Sequence, residues 1–193
     1  MQKITEPLLN KRKIGKIIAL GGEHLVLNYS KDCVIKIPFG LRYFLRPRQY
    51  TARIQEDYAI LKKYFGDYFI ETEVRVNKRR DWYVLVQKKY HGRSFVQKDL
   101  AKAEYKKQLC DILEANAKMK EESNITWEFF GAWALVFSKG EKISNIMAEN
   151  GKLIMIDIGL IYLNNAHNTH WIIRTIVRWA VRKQKSFLKN FIG

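Results

Sequence analysis

Asn145 and Asp157 stand twelve residues apart, each beside a β-rich apolar run. The turn Asn150-Gly151 between the runs predicts a hairpin, in which Asn145 begins the first strand and Asp157 ends the second. Their side chains would then meet at one end of the hairpin. An amide oxygen and a carboxylate are hard ligands that suit Mg²⁺. Asp157 directly follows three apolar residues, which is unlike a solvated surface acid. The pair therefore predicts a magnesium site.

Lys36 lies inside Val34-Ile35-Lys36-Ile37, a run that is typical of a buried strand. Burying an unpaired ammonium group is costly, so a buried Lys36 requires an anionic partner, either a carboxylate or a phosphate. The helical segment that follows offers Glu56 and Asp57, and either acid could pair with Lys36. The alternative is that Lys36 lies on the solvent face of its strand.

Two adjacent glycines, Gly21 and Gly22, follow the first β-rich run. Alone they indicate only a turn. Their position before Lys36 makes their backbone a candidate cover for bound phosphates. Val26 stands where a side chain would cover a bound base.

The elements that must position these residues follow from periodicity and turn signals. Strands are predicted over Ile14–Leu20, Leu25–Tyr29, Cys33–Ile37, Ile70–Asn77, Trp82–Gln87, Asn145–Ala148 and Leu153–Ile158, and helices over Pro47–Tyr64, Leu100 to about Glu121, and roughly His170–Phe191. This order predicts an α+β fold in two parts. A strand-rich N-terminal lobe over 12–88 would meet a helix-rich C-terminal lobe over 89–193 near Gln87–Gly92.

Over about residues 14 to 163, the chain resembles the protein-kinase-like superfamily. The nucleotide- and metal-binding parts of that superfamily occur here in the same order: the glycine turn, Lys36, the helix acid, Asn145 and Asp157-Ile158-Gly159. The most specific pieces are Ser144–Met147, Asn150–Lys152 and Ile156–Gly159. In length and basic tail the chain is similar to small bacterial kinase-like proteins of the PhoP-regulatory-network family or the lipopolysaccharide core sugar kinases.

The resemblance implies one two-lobed kinase-like domain over 1–193, with a small, truncated C-lobe, that binds ATP and Mg²⁺. Lys36 would contact the α and β phosphates, and Asn145 and Asp157 would hold the metal. The stretch Gln87–Gly92 resembles the hinge that binds adenine. The other expected nucleotide-binding residues are Gly21, Gly22, Val26, Glu56 or Asp57, Lys88 and Tyr90.

Two positions depart from the superfamily pattern. The helix acid of the family stands four residues before a Leu, which selects Asp57 by counting from Leu61, whereas Glu56 fits only if Ile60 replaces that Leu. The catalytic Asp of the family stands five residues before Asn145, where this chain has Gly140. Two other acids are then candidates for the catalytic base: Glu141, displaced by one residue, and the more distant Glu128.

The function predicted from the resemblance is ATP-dependent phosphoryl transfer to an acceptor that the sequence does not identify. Because the catalytic Asp is missing, the alternative is a pseudokinase that acts as a binding or regulatory module. A second alternative is a nucleic-acid-binding protein, since 35 Lys and Arg face 19 Asp and Glu, a formal net charge of +16.

Basic residues recur every three or four positions in the last predicted helix, where they would form one cationic stripe: Arg174, Arg178, Arg182, Lys185 and Lys189. The apolar residues of the helix fall on the opposite face: Ile172, Ile173, Ile176, Ala180 and Phe187. The favoured interpretation is that this apolar face packs on the lobe and the stripe faces solvent. Otherwise the stripe meets anionic lipid or another polyanion.

Two cysteines, Cys33 and Cys110, exclude a disulfide scaffold and indicate free thiols in a reducing compartment. Residues Met1–Lys13 lack the apolar region of a signal peptide. The longest uninterrupted apolar run, Ala132–Phe137, is far shorter than the roughly 20 residues of a spanning helix. We therefore expect a cytoplasmic protein, at most peripheral to a membrane.

Overall fold

The computed structural model of the chain describes residues 14–21, 23–39, 43–44, 46–131, 141–164 and 171–192. Ten strands fall in these ranges: β1 Ile17–Leu20, β2 His24–Asn28, β3 Cys33–Pro38, β4 Thr72–Asn77, β5 Trp82–Lys88, β6 Arg93–Val96, β7 Ile125–Trp127, β8 Lys142–Glu149, β9 Lys152–Met155 and β10 Leu160–Tyr162. The helices are α1 Pro47–Phe65, α2 Ala103–Ser123 and α3 Trp171–Ile192, with 3₁₀ turns at Gly66–Tyr68 and Gln97–Ala101.

Contacts divide the chain into two compact units. The first unit is Met1–Ala59 with Glu71–Lys89, and the second is Ile60–Ile70 with Tyr90–Gly193. The division falls inside α1 and directly after β5. The lobes expected over 12–88 and 89–193 remain predictions.

One antiparallel sheet of five strands, in the order β1-β2-β3-β5-β4, organises the first unit. Successive residues of a strand point to opposite faces, so the register assigns each side chain a face. Leu27, Ile35 and Val86 are cross-strand neighbours on one face and belong to its buried apolar core. Val26, Lys36 and Leu85 are neighbours on the other face.

Two smaller antiparallel sheets lie in the second unit, one in the order β6-β8-β9 and one that pairs β7 with β10. The pairing of β6 with β8 shifts register: Ser94 faces Met147, but the next residue, Phe95, faces Ile143. Three residues of β8, 144–146, therefore bulge away from β6. This bulge contains Asn145.

The helices end where the sequence supplies left-handed residues. The last turn of α1 is followed by Gly66 at φ +52°, and α2 is capped by Asn124 at φ 55°, whose N–H donates to Lys120 O. Gly and Asn adopt this backbone region most easily. Leu109 and Ile112 of α2 are buried, as its predicted apolar face requires.

The predicted mixture of strands and three long helices is confirmed, and three predicted boundaries are corrected. Asn145 does not begin a strand but lies inside β8, and β9 ends at Met155, two residues before Asp157. The α2 helix begins at Ala103 rather than Leu100, because Gln97–Ala101 forms a 3₁₀ turn. The strands β6, β7 and β10 were not predicted. Within the described residues, no helix is both long and apolar enough to cross a membrane.

Gly92 precedes β6 at a position where its hydrogen faces the backbone of β8. A Cβ at this position would lie 2.5 Å from Ala148 O and 2.9 Å from Glu149 Cβ. Neither partner is the end of a flexible side chain, so the strand itself would have to move. This close approach makes a side chain at position 92 destabilising.

We expect Gly92→Ala to lower the free energy of unfolding by about 1–3 kcal/mol, the usual cost of overpacking. The melting temperature should fall by roughly 2–10 °C, as measured by circular dichroism. Gly131→Ala is the matched control, because the nearest atom of the described residues to its added Cβ is 3.8 Å away. Equal melting temperatures for the two variants would refute the close approach.

Candidate functional site

Asn145 is held by its own side chain in the second unit. Its Nδ2 donates a hydrogen bond to Glu128 O over 2.6 Å, and its backbone N–H donates to Phe129 O over 3.2 Å. Only an amide nitrogen can donate to a carbonyl, so this bond identifies which end of the amide is Oδ1. Within the described part of the chain, no hydrogen bond to Oδ1 is present, which leaves this oxygen available to a ligand.

Asp157 lies two residues beyond β9, in an irregular stretch that neighbouring groups fix. Its carbonyl accepts from the buried indole Nε1 of Trp127 over 2.8 Å, and its Oδ1 accepts from the N–H of Ile158 over 3.0 Å. The carboxylate is therefore oriented before any ligand binds. Asp157 is half-buried, unlike a solvated surface acid.

The segment Trp127–Phe129 connects the two candidate metal ligands. Besides the bonds to Asn145 and Asp157, the N–H of Glu128 donates to Gly159 O over 2.9 Å. Trp127 N–H also donates to Asn116 Oδ1 of α2 over 2.8 Å. The segment is thus the common support of both predicted ligands.

Gln184 of α3 also bonds to the segment Trp127–Phe129, which α2 contacts through Asn116. Its Oε1 accepts from Phe129 N–H over 2.9 Å, and its Nε2 donates to Trp127 O over 2.8 Å. The side chain is buried, so both backbone groups would lose their partners if the amide were removed. The sequence analysis did not identify Gln184, although a lone amide on the apolar face of a helix is a detectable signal.

Glu128, the more distant candidate base in the sequence, lies inside this cluster. Its side chain is only 7% exposed. Its Oε2 would be 3.2 Å from a Cβ on Gly159, so the carboxylate lies against the Asp157-Ile158-Gly159 backbone.

Glu141, the other candidate base, lies outside this cluster. It precedes β8, its side chain is exposed, and its carbonyl accepts from Gln97 N–H over 3.0 Å. The family position of the catalytic Asp, Gly140, is outside the described residues. Among the described residues, the structure brings Glu128 and not Glu141 into contact with the residues around Asn145.

Lys36 and Asp57 are both buried in the first unit, at 8% exposure each, whereas Glu56 is exposed. Arg53 Nη2 lies 3.8 Å from Asp57 Oδ1, one helical turn away. Tyr58, the next residue of α1, accepts from Thr72 N–H of β4 over 3.3 Å. Of the two acids considered for Lys36, burial therefore favours Asp57.

The remaining expected nucleotide-binding residues take varied positions. Gly21 forms the turn between β1 and β2, with its N–H donating to His24 O over 2.9 Å, and Gly22 lies outside the described residues. Val26 is half-buried and directly opposite Lys36 across the strands. Lys88 is exposed at the end of β5 and Tyr90 is half-buried. Their assignment to a nucleotide remains a prediction.

The donor set suits a hard cation. Asn145 Oδ1 and the Asp157 carboxylate are oxygen ligands of the type that Mg²⁺ takes, usually together with water and phosphate oxygens. Within the described residues there is no cluster of three or more His, Cys, Asp or Glu that could hold a metal by itself.

No protein-family model and no curated protein sequence matches the chain. Among solved structures it is similar to the Legionella pneumophila Lpg2603 kinase bound to IP6, at 19% identity and a TM-score of 0.53. That alignment covers 92% of this chain and 58% of the Lpg2603 kinase chain. A second structure, the apo form of PpkA-294, is 14% identical with a TM-score of 0.46, over 83% of this chain and 63% of that one.

The chain therefore spans less than two thirds of the length of either solved structure. At 19% identity, the similarity to the Lpg2603 kinase concerns the fold alone. It shows that this chain has a kinase-like fold.

The Gln184 bonds predict a stability effect that surface amides lack. Gln184→Ala leaves a buried N–H and a buried carbonyl without partners, each costing about 1–3 kcal/mol. We expect the midpoint of urea unfolding to fall clearly. Gln97→Ala is the matched control, because Gln97 also bonds to the backbone of α3, at Asn190 O, but is exposed. If the two variants unfold at the same urea concentration, Gln184 does not support the segment.

Proposed function

We propose that this protein is a kinase-like phosphotransferase that binds ATP with Mg²⁺. The observation that carries the proposal is the amide of Asn145, whose nitrogen is bonded to Glu128 O so that its oxygen is available to a ligand. The kinase-like fold supports the same assignment.

In the proposed site, Asn145 Oδ1 and the Asp157 carboxylate hold Mg²⁺. The metal, when bound, neutralises the negative charge on the phosphates during transfer. The role of Trp127 is to fix the Asp157 backbone through its indole N–H. Both ligands are therefore held before binding, which lowers the entropy lost when the metal and the nucleotide bind.

Lys36 of the first unit contacts the ATP phosphates, and Asp57 orients it. Two buried charges of opposite sign in one unit, at equal exposure, are consistent with such a pair. Val26, beside Lys36 in the sheet, covers the base. Gly21 contributes its turn, whose backbone approaches the phosphates without side-chain obstruction.

Glu128 replaces the missing catalytic Asp. Its carboxylate accepts the proton of the acceptor hydroxyl while the hydroxyl oxygen bonds to the γ-phosphorus and the bond to ADP breaks. Its burial beside Gly159 supports this role over that of the exposed Glu141. The acceptor class remains open.

A pseudokinase is the second candidate function, because Gly140 occupies the position of the catalytic Asp in the family. Such a protein would bind ATP and Mg²⁺ through the same residues without turnover. The two candidates differ only in catalysis, so binding and turnover must be measured separately.

Binding is measured by thermal shift with ATP and Mg²⁺. At an ATP concentration near 100 Kd, binding stabilises the native state by about 2.7 kcal/mol, which should raise the melting temperature by roughly 5–10 °C. Asp157→Asn should remove the Mg²⁺-dependent part of this rise, and Lys36→Met should reduce the whole rise. The exposed Asp67→Asn and Lys31→Met are matched controls that should keep it.

Tripolyphosphate tests whether the rise reflects charge alone, since a protein of net charge +16 attracts any polyanion. The proposal fails if wild-type protein responds equally to tripolyphosphate and ATP, or if Asp157→Asn and Asp67→Asn behave alike.

Catalysis is measured as phosphate released from ATP by water in the absence of an identified acceptor. Glu128→Gln should lower the rate by about 10²- to 10⁴-fold while leaving the thermal shift with ATP intact. Glu141→Gln should change neither quantity. If Glu141→Gln alone abolishes turnover, Glu128 is not the base. If the wild-type protein binds ATP but shows no turnover, the pseudokinase is the correct alternative.

A further inference from the structure

The last helix, α3, has one face that is fully engaged in packing. Phe187 contacts Phe130 and Phe191 contacts Phe95, with ring centroids 5.4 and 5.5 Å apart. Val177, Ala180 and Gln184 are buried on the same side. This packing fixes the rotation of the helix, so its opposite face cannot turn inward.

The opposite face carries four exposed cations, which we name the cationic face: Arg178, Arg182, Lys185 and Lys189. Their spacing of three or four residues places them in one row, about 16 Å long at 1.5 Å per residue. The predicted apolar and basic faces are confirmed for the described side chains. The side chain of Arg174, which the sequence places on the same row, lies outside them.

The described residues place no counter-charge beside the cationic face. The sequence of α3 contains no Asp or Glu. In the part of the chain that the structure describes, no carboxylate lies within ion-pair distance of Arg178, Arg182, Lys185 or Lys189. Four unneutralised charges in a row raise the local positive potential and attract an anionic partner.

Two apolar side chains flank the row. Trp179 is 45% exposed on one side, and Ile192 is 47% exposed on the other. Trp prefers the boundary between lipid headgroups and acyl chains, where its ring is apolar and its N–H is hydrated. A surface that only paired with phosphodiesters would gain little from exposed apolar groups at its edges.

We propose that the cationic face of α3 docks the protein on an anionic lipid surface, with Trp179 and Ile192 at headgroup depth. The helix lies on the surface and does not insert its apolar face, because packing within the protein already covers that face. Single-stranded nucleic acid is the competing partner, but it favours several stacked aromatic side chains, and Trp179 is the one aromatic residue that the described side chains of this face present. The inference does not depend on the proposed phosphotransferase function.

Sedimentation with lipid vesicles tests the proposal. The wild-type protein should bind vesicles that contain phosphatidylglycerol and ignore pure phosphatidylcholine vesicles. Each basic residue near such a surface contributes about fivefold in affinity, so Arg178→Gln with Arg182→Gln should weaken binding roughly 25-fold. Arg79→Gln with Arg80→Gln removes the same charge from the exposed β4–β5 turn and should leave binding nearly unchanged.

Fluorescence quenching by brominated phosphatidylglycerol tests the depth of Trp179. Quenching should fall sharply in Trp179→Phe. It should persist in the control variant Trp82→Phe, because Trp82 lies in the first unit and not on α3.

Three results would overturn the proposal. The first is that wild-type protein does not bind the anionic vesicles at low salt. The second is that the Arg178→Gln, Arg182→Gln variant and the Arg79→Gln, Arg80→Gln variant lose the same affinity for vesicles, because binding would then depend on net charge alone. Stronger binding to a single-stranded oligonucleotide than to vesicles, lost in Arg178→Gln with Arg182→Gln, would assign the cationic face to nucleic acid instead.

Discussion

The hydrogen bond from Asn145 Nδ2 to Glu128 O is the constraint on which the candidate site depends. It fixes the orientation of the amide, and it joins β8 to the segment that also carries Glu128. The bulge of β8 away from β6 makes this bond possible, because a regular strand would keep Asn145 in its ladder. A local irregularity of the sheet thus shapes the candidate site.

The α3 helix links the interior of the second unit to its surface. Through Gln184 it supports the segment that holds Asn145 and Asp157, and through its opposite face it presents an unneutralised row of cations. One helix therefore supplies stability to the candidate active site and a surface for a partner. In the proposed function, docking on lipid would bring the protein to a lipid-linked acceptor.

The sequence predicted the parts of the fold that depend on local pattern. Lys36, Asn145 and Asp157 were selected as candidates because a charged or amide residue interrupts an apolar run, and their roles remain predictions. The helices α2 and α3 were predicted because apolar residues recur with helical period. The strands β6, β7 and β10 were missed because each is only three or four residues long, too short to show alternation. Asp57 is buried and Glu56 is exposed, a difference that the sequence does not reveal because the two residues are adjacent on one helix. Glu128 contacts Gly159, about 30 residues away in the chain, and no rule based on sequence spacing predicts such a contact.

The central claim, that Asn145 Oδ1 is a metal ligand, is tested most directly by nuclear magnetic resonance of the Asn145 side-chain amide. Its signal is identified by its absence in Asn145→Ala. With a non-hydrolysable ATP analogue and Mg²⁺ the signal should shift, and a small fraction of paramagnetic Mn²⁺ in place of Mg²⁺ should broaden it beyond detection. If the Asn145 signal stays sharp while other signals broaden, the metal binds elsewhere and the proposed site is wrong.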